Sequence, residues 1–175
     1  MMKTFISFLM TSFLLFGITY LGVKKWVTKT YETSNYHLEK LFVNKLDSGN
    51  IDILDNNLNP KLISLWATWC KPCVEELKLI DTSILQKNRN NIFFLSKEEK
   101  LTIINFLNKS TITDKANYFQ YSEHDSIIDF SILPRTIILN PFNKIIWQKT
   151  GQLNSDDIRI VDSMLNKKAK SVKLF

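Results

Sequence analysis

The chain has 175 residues, 45% of them hydrophobic and 12% aromatic, which excludes a disordered chain and suffices for one domain with a sizeable core. Its net charge of +6 is mild and scattered, and excludes a nucleic-acid binder on electrostatic grounds. Two cysteines, three residues apart, are too few for a disulfide-stapled miniprotein or a four-cysteine zinc site.

From Phe5 to Val23 no residue is charged, and the run is bracketed by Lys3 and by Lys24-Lys25-Trp26. Nineteen helical residues rise about 28 Å, close to the thickness of a bilayer's hydrocarbon core. A cleaved signal would have a shorter apolar run ending in small residues, whereas this one ends Tyr20-Leu21-Gly22-Val23. The segment is therefore predicted to be a single N-terminal transmembrane helix, with a cleaved signal as the alternative. The lysines that follow it do not favour export of the remainder, although long domains cross largely regardless of such charges.

Next, Leu38, Leu41, Phe42 and Leu46 recur at helical spacing, with Gly49 as a stop. Asn56, Asn57, Asn59 and Pro60 form a turn cluster. Lys61–Trp66 is a short apolar run suited to a buried strand, and it leads into Cys70. Pro72 sits just inside a helix whose apolar positions are Val74, Leu77, Ile80 and Ile84. Asn91–Leu95 is a second buried strand, and Ser96 with Glu99 gives a capping box for a helix carrying Leu101, Ile104 and Leu107. A short strand is expected over 117–121 and a short helix over 123–130. Pro134 precedes a third strand, Thr136–Leu139; Asn140-Pro141-Phe142-Asn143 is a hairpin turn, Lys144–Gln148 the return strand, and Gly151 closes it. Asn154 or Ser155 caps a last helix ending near Lys168, with Asp156 and Asp157 at its positive end. Alternating strands and helices followed by a hairpin predict an α/β domain with a mixed central sheet and helices on both faces.

The chemistry is concentrated in Trp66-Ala67-Thr68-Trp69-Cys70-Lys71-Pro72-Cys73, where a strand ends and a helix begins. A thiol at a helix N-terminus faces unpaired N–H groups and the positive end of the dipole, both of which favour thiolate. Cys70 is the expected exposed nucleophile. Cys73, one turn on and more covered, would attack the mixed disulfide and release the substrate. Lys71 adds a solvated cation. No phosphate loop or Ser-His-Asp order is visible, and the spacing of His37 and His124 matches no zinc pattern, so neither a metal nor a cofactor is implied.

This segment resembles the active-site stretch of thioredoxin-fold proteins, and more narrowly that of the TlpA/ResA group of membrane-anchored thiol–disulfide oxidoreductases. The group's C-x-P-C-x-x-E pattern is matched by Cys70, Pro72, Cys73 and Glu76, and Leu133–Asn140 is similar to its cis-proline strand. The resemblance covers about residues 58–168 and implies three parts: 1–26 as membrane anchor or signal, 27–57 as connector and lead-in, and 58–170 as a thioredoxin-like domain. It implies a cis peptide at Pro134, with the Leu133 backbone available to an extended substrate segment.

In thioredoxins a buried acid lies six residues before the first cysteine; here Ser64 stands there. Glu76, on the same helical face as Cys73, is then the candidate to take the Cys73 proton, the alternative being a solvated helix carboxylate. Glu75 is expected to face solvent. Trp66 reads as core and Trp69 as part of an apolar docking rim. Arg135 replaces the group's usual small residue; it would stabilise thiolate, select acidic partners, or only face solvent.

The implied activity is reduction of disulfides in extracytoplasmic proteins, apo-cytochromes c among them, by a domain on the periplasmic side of the cell membrane. A transmembrane electron donor of the CcdA/DsbD type would recharge it. An oxidase or isomerase using the same cysteines, and a tethered peptide-binding module with a static disulfide, are the competing readings.

Overall fold

The computed structural model describes residues 37–47, 49–54, 59–113, 115–121 and 128–167. The chain divides into Met1–Glu32 and Thr33–Phe175, and every described residue belongs to the second unit. The helix expected over 5–23 lies outside the described residues. Among those described, no helix is long and apolar enough to cross a membrane.

Seven strands form one mixed sheet: β1 (Phe42–Lys45), β2 (Asn50–Asp52), β3 (Lys61–Leu65), β4 (Ile92–Ser96), β5 (Tyr118–Tyr121), β6 (Arg135–Leu139) and β7 (Ile145–Thr150). Their spatial order is β2-β1-β5-β4-β3-β6-β7. The β5-β4-β3 portion is parallel, and all other pairings are antiparallel. Among the described residues three α-helices accompany the sheet: α1 (Lys71–Thr82), α2 (Lys100–Lys109) and α3 (Ser155–Leu165).

The central strand β3 is buried throughout because it is covered on both faces and paired on both edges. Its residues alternate between two cores. Leu62 faces one that includes Leu77, Ile80, Phe94, Ile103, Leu107, Ile138, Trp147, Ile158, Val161 and Leu165; Ile63 and Leu65 face the other, with Val43, Leu95, Phe119, Ile137 and Leu139. Among the described residues all three helices contribute to the first core, so the expectation of helices on both faces is met on one face there. The crossovers β3–α1–β4 and β4–α2–β5 step the same way across the sheet, and their common right-handedness puts both helices on one side. Among the described residues the other face is covered by Leu38, Leu41, Ile53, Leu54 and Ile128, which lie outside any helix. The helix expected over 123–130 falls mostly outside the described residues, and 128–134 are irregular.

Three local expectations are revised. The spacing of Leu38, Leu41, Phe42 and Leu46 is not helical: Phe42–Lys45 is a strand paired with β2 and β5, and its two-residue alternation buries Val43. Ser96 does not cap α2, whose N-cap is Glu99 without a side-chain hydrogen bond; the Ser96 hydroxyl bonds Glu98 instead. Ile84 does not continue α1, which ends at Thr82, where Ser83 turns the chain into a 3₁₀ segment over Ile84–Asn91. The last helix agrees better. Asn154 caps α3 in a capping box with Asp157, and the helix ends at Leu165.

The back of α1 is tied down by Asp81, whose carboxylate accepts from Arg89 (3.2 Å) and from the backbone N–H of Thr113 (3.2 Å). Removing one partner of a buried, hydrogen-bonded charge strands the other. Asp81→Ala is therefore expected to lower the unfolding free energy by about 3 kcal/mol. Lys87→Ala, which breaks the more exposed pair with Asp162, should cost less than about 1 kcal/mol. Urea denaturation of the two variants beside the parent checks the contrast.

Candidate active site

The register Leu65↔Arg135 between β3 and β6 puts the end of one strand beside the start of the other. The segment that follows β3 and the segment that precedes β6 therefore meet at one end of the sheet. The first carries Trp69, Cys70 and Cys73; the second carries Leu133 and Pro134. The Leu133–Pro134 peptide is cis, and the Pro134 carbonyl accepts a 2.8 Å hydrogen bond from the N–H of Gly151, which lies just past β7. Gly151 has φ +92°, a conformation other residues rarely adopt.

Cys70 and Cys73 form a disulfide. Cys70 is the N-cap of α1, and its Sγ accepts from the Cys73 N–H at 3.3 Å. An unpaired N–H at a helix N-terminus thus points at the first sulfur, the arrangement that favours thiolate once the bond is reduced. Cys70 is 5% exposed and Cys73 1%, so the expected order of exposure holds, but in the disulfide form the nucleophile is far more covered than expected. Pro72 occupies the first turn, where its missing N–H costs nothing, and Lys71 is exposed.

The loop between β3 and Cys70 is fixed by a residue not anticipated from the sequence. Glu98 accepts from the Thr68 backbone N–H (2.7 Å) and hydroxyl (2.6 Å), and from Ser96 (3.2 Å). It follows the end of β4 by two residues; as β4 runs parallel to β3, both loops emerge at the same end, which was the available signal.

Trp66 is buried, with Tyr118 packed edge-on against it, whereas Trp69 is 75% exposed. Trp69 and Leu133 share an open groove of about 210 Å³ with Phe130, Lys97 and Glu98. Arg135 faces neither solvent alone nor the cysteines: it donates to Gln148 (2.8 Å) and pairs with Asp129 (3.4 Å). Hydrogen bonds from the Ser131 backbone and hydroxyl hold the Asp129 carboxyl below its ordinary range. Glu75 is exposed, as expected, and its carboxylate accepts from Gln152.

Glu76 is completely buried. Its Oε1 accepts from the hydroxyls of Ser64 (3.2 Å) and Thr136 (3.1 Å), and its Oε2 accepts from the Leu153 N–H (2.8 Å). The expectation of a solvated helix carboxylate is thereby set aside. Ser64, at the position where thioredoxins carry an acid, here donates to the buried Glu76. Burial pushes the Glu76 carboxyl above its ordinary value of 4.5, against the opposing pull of Leu153, Thr136, Ser64 and the nearby Lys149 ammonium. A backbone N–H only donates, so Oε2 accepts in either protonation state. The two hydroxyls can each donate or accept, so Oε1 can carry or release a proton without leaving a buried group unsatisfied.

No protein-family model and no curated protein matches the chain in sequence. Solved structures do. A thiol:disulfide interchange protein of the thioredoxin family from Chlorobium tepidum TLS is 15% identical over 77% of this chain and 99% of its own, at a TM-score of 0.60. A thio-disulfide isomerase from Thermus thermophilus is 12% identical over 79% and 100%, at 0.59. StoA from Bacillus subtilis is 14% identical over 74% and 98%, at 0.54. At these identities the likeness establishes the fold, which is thioredoxin-like.

The folded state holds the Glu76 proton above pH 4.5, where the unfolded chain has released it. Stability therefore falls as pH rises through that region, until the folded-state carboxyl ionises as well. An amide at this position can still accept from Leu153 and donate to the two hydroxyls. Glu76→Gln is accordingly expected to abolish this fall, so that its stability relative to the parent rises as the pH climbs above 4.5, in urea unfolding of the disulfide forms.

Proposed function

We propose that the protein is a thiol–disulfide oxidoreductase that reduces disulfides in other proteins. The observation that carries the reading is the Cys70–Cys73 disulfide capping α1, with buried Glu76 one turn behind it and cis-Pro134 just before the neighbouring strand β6.

In the dithiol form, the Cys70 thiolate attacks one sulfur of a substrate disulfide and expels the other as thiolate. Cys73 then gives up its proton and attacks the Cys70 Sγ. The Cys70–Cys73 bond closes, and the second substrate sulfur leaves as thiolate. Two electrons pass from the dithiol to the substrate, and Glu76 is the group placed to take the Cys73 proton. Leu133 has no backbone–backbone hydrogen bond to another described residue, so its amide and carbonyl suit an extended segment of the substrate. Trp69 and Phe130 offer apolar contact beside it.

Reduction is favoured over oxidation by the setting of Cys73. A buried carboxyl one turn away disfavours a second negative charge there, which destabilises the dithiolate relative to the disulfide. A dithiol so placed gives up electrons readily. Reduction in an oxidising compartment requires recharging. We accordingly read residues 5–23 as a membrane anchor, the domain as extracytoplasmic on the periplasmic side, a CcdA/DsbD-type protein as the electron donor, and apo-cytochromes c as one substrate class.

Equilibration of the cysteine pair against a thiol buffer is the deciding measurement. The expected reduction potential is below about −240 mV; a value near −120 to −180 mV would mark an oxidase or isomerase instead. Cys70→Ser should lose exchange altogether, and Cys73→Ser should accumulate mixed disulfides with its substrates. A Cys73→Ser chain that captures no protein in cells would favour a static disulfide.

A further inference from the structure

Among the described residues the cation that acts on Glu76 is Lys149, and it is already engaged. Lys149 stands opposite Thr136 in the β6–β7 ladder, so its side chain lies on the same face of the sheet as the hydroxyl that bonds Glu76. Its ammonium makes an ion pair with Asp157, and the two side chains are 15% and 1% exposed. Asp157 is held in turn by the capping box of α3, where its carboxylate also accepts from the Asn154 N–H (2.7 Å). The segment 153–157 thus touches both acids' sites: its first residue donates to Glu76 and its last holds Lys149.

We propose that Asp157 is a positioning residue: by holding the Lys149 ammonium in an ion pair it withholds that charge from the buried Glu76 carboxyl, which leaves Glu76 the stronger base. The other elements around Glu76 supply no competing charge. The β3 and β6 strands present Ser64 and Thr136 to it, the loop before α3 presents a backbone N–H, and Glu75 on its own helix turns outward to Gln152. Lys61 and Arg135 alternate to the opposite face of the sheet from Ser64 and Thr136. On α3, Asp156 and Arg159 pair with each other at the surface. With Lys149 neutralised by Asp157, burial dominates and the carboxyl holds its proton more tightly than in water. With Lys149 released, the same carboxyl would ionise as half of an ion pair, and a carboxylate stabilised in that way is a weaker base toward the Cys73 proton.

The use of that proton rests on the exchange reading above, but the charge arrangement does not. It is therefore tested on the disulfide form of the full-length chain, by following the side-chain carboxyl carbon of ¹³C-labelled glutamate through a pH titration, with Glu76→Gln identifying the resonance. Asp157→Asn is expected to lower the Glu76 midpoint by about one pH unit or more, a tenfold loss of proton affinity. Lys149→Met/Asp157→Asn, which removes both charges, is expected to restore the parent midpoint. Lys149→Met alone should raise it, since an attractive cation is lost and Asp157 is left uncompensated.

The double variant lacks the same acidic cap as Asp157→Asn, so a merely structural role for Asp157 would displace both midpoints alike. That outcome overturns the proposal, as does an unchanged midpoint in a folded Asp157→Asn chain. Should Asp157→Asn not fold, Lys149→Met decides: a midpoint that does not rise overturns it. Exchange activity is measured separately, so a failed charge arrangement and a failed exchange reading are distinguishable.

Discussion

The arrangement on which the site depends is the satisfaction of one buried carboxyl by three separate parts of the chain. Glu76 projects from α1, and its partners come from β3, from β6 and from the loop before α3. A buried carboxyl that lost these partners would carry a desolvation cost of several kcal/mol. Each of the three is therefore held in register with the helix that bears the cysteines. Displacing β6 relative to α1 would remove the Thr136 bond and carry the Leu133–Pro134 segment out of place in the same movement. The requirement that fixes the buried carboxyl also fixes the Leu133–Pro134 segment at the same end of the sheet.

The sheet order supplies the frame for this. β3 is parallel to β4 on one side and antiparallel to β6 on the other. The end of β3, the end of β4 and the beginning of β6 consequently lie together, although they are separated by about thirty and seventy residues in sequence. Each contributes one element: the cysteine loop, the Glu98 brace that holds Thr68, and the cis-proline segment. The described helices lie on the face from which Glu76 is reached, and the acid is shut off from water.

Much of this was legible in the residues because local chemistry and global position agree at Cys70, Pro72, Cys73, Glu76 and Pro134. The CxxC must cap a helix, and the strand before it must be buried to hold the helix in place. Legibility failed where a short apolar pattern fits two periods. Leu38, Leu41, Phe42 and Leu46 satisfy a helical stripe, yet Val43 belongs to the core, and only pairing with β5 decides the matter. It failed again at Ser96, whose hydroxyl found a nearer acid in Glu98 than the Glu99 that a capping box requires. The pairing of Lys149 with Asp157 was invisible for another reason: β7 must turn at Gly151 before their side chains meet, and eight residues of separation encode no such contact.

Within the exchange reading, the two sulfurs act differently despite lying three residues apart. Cys70 has the Cys73 N–H aimed at its sulfur and the positive end of α1 behind it, so its ionised form is favoured and it attacks first. Cys73 sits deeper, on the face of the helix that carries Glu76, where burial opposes a second charge. It therefore keeps its proton while the mixed disulfide forms and surrenders it only when a neighbouring base is ready. The helix dipole alone would lower both thiols; the buried acid separates them. The order of events in a two-step exchange follows from placing one favourable and one unfavourable electrostatic field a single turn apart.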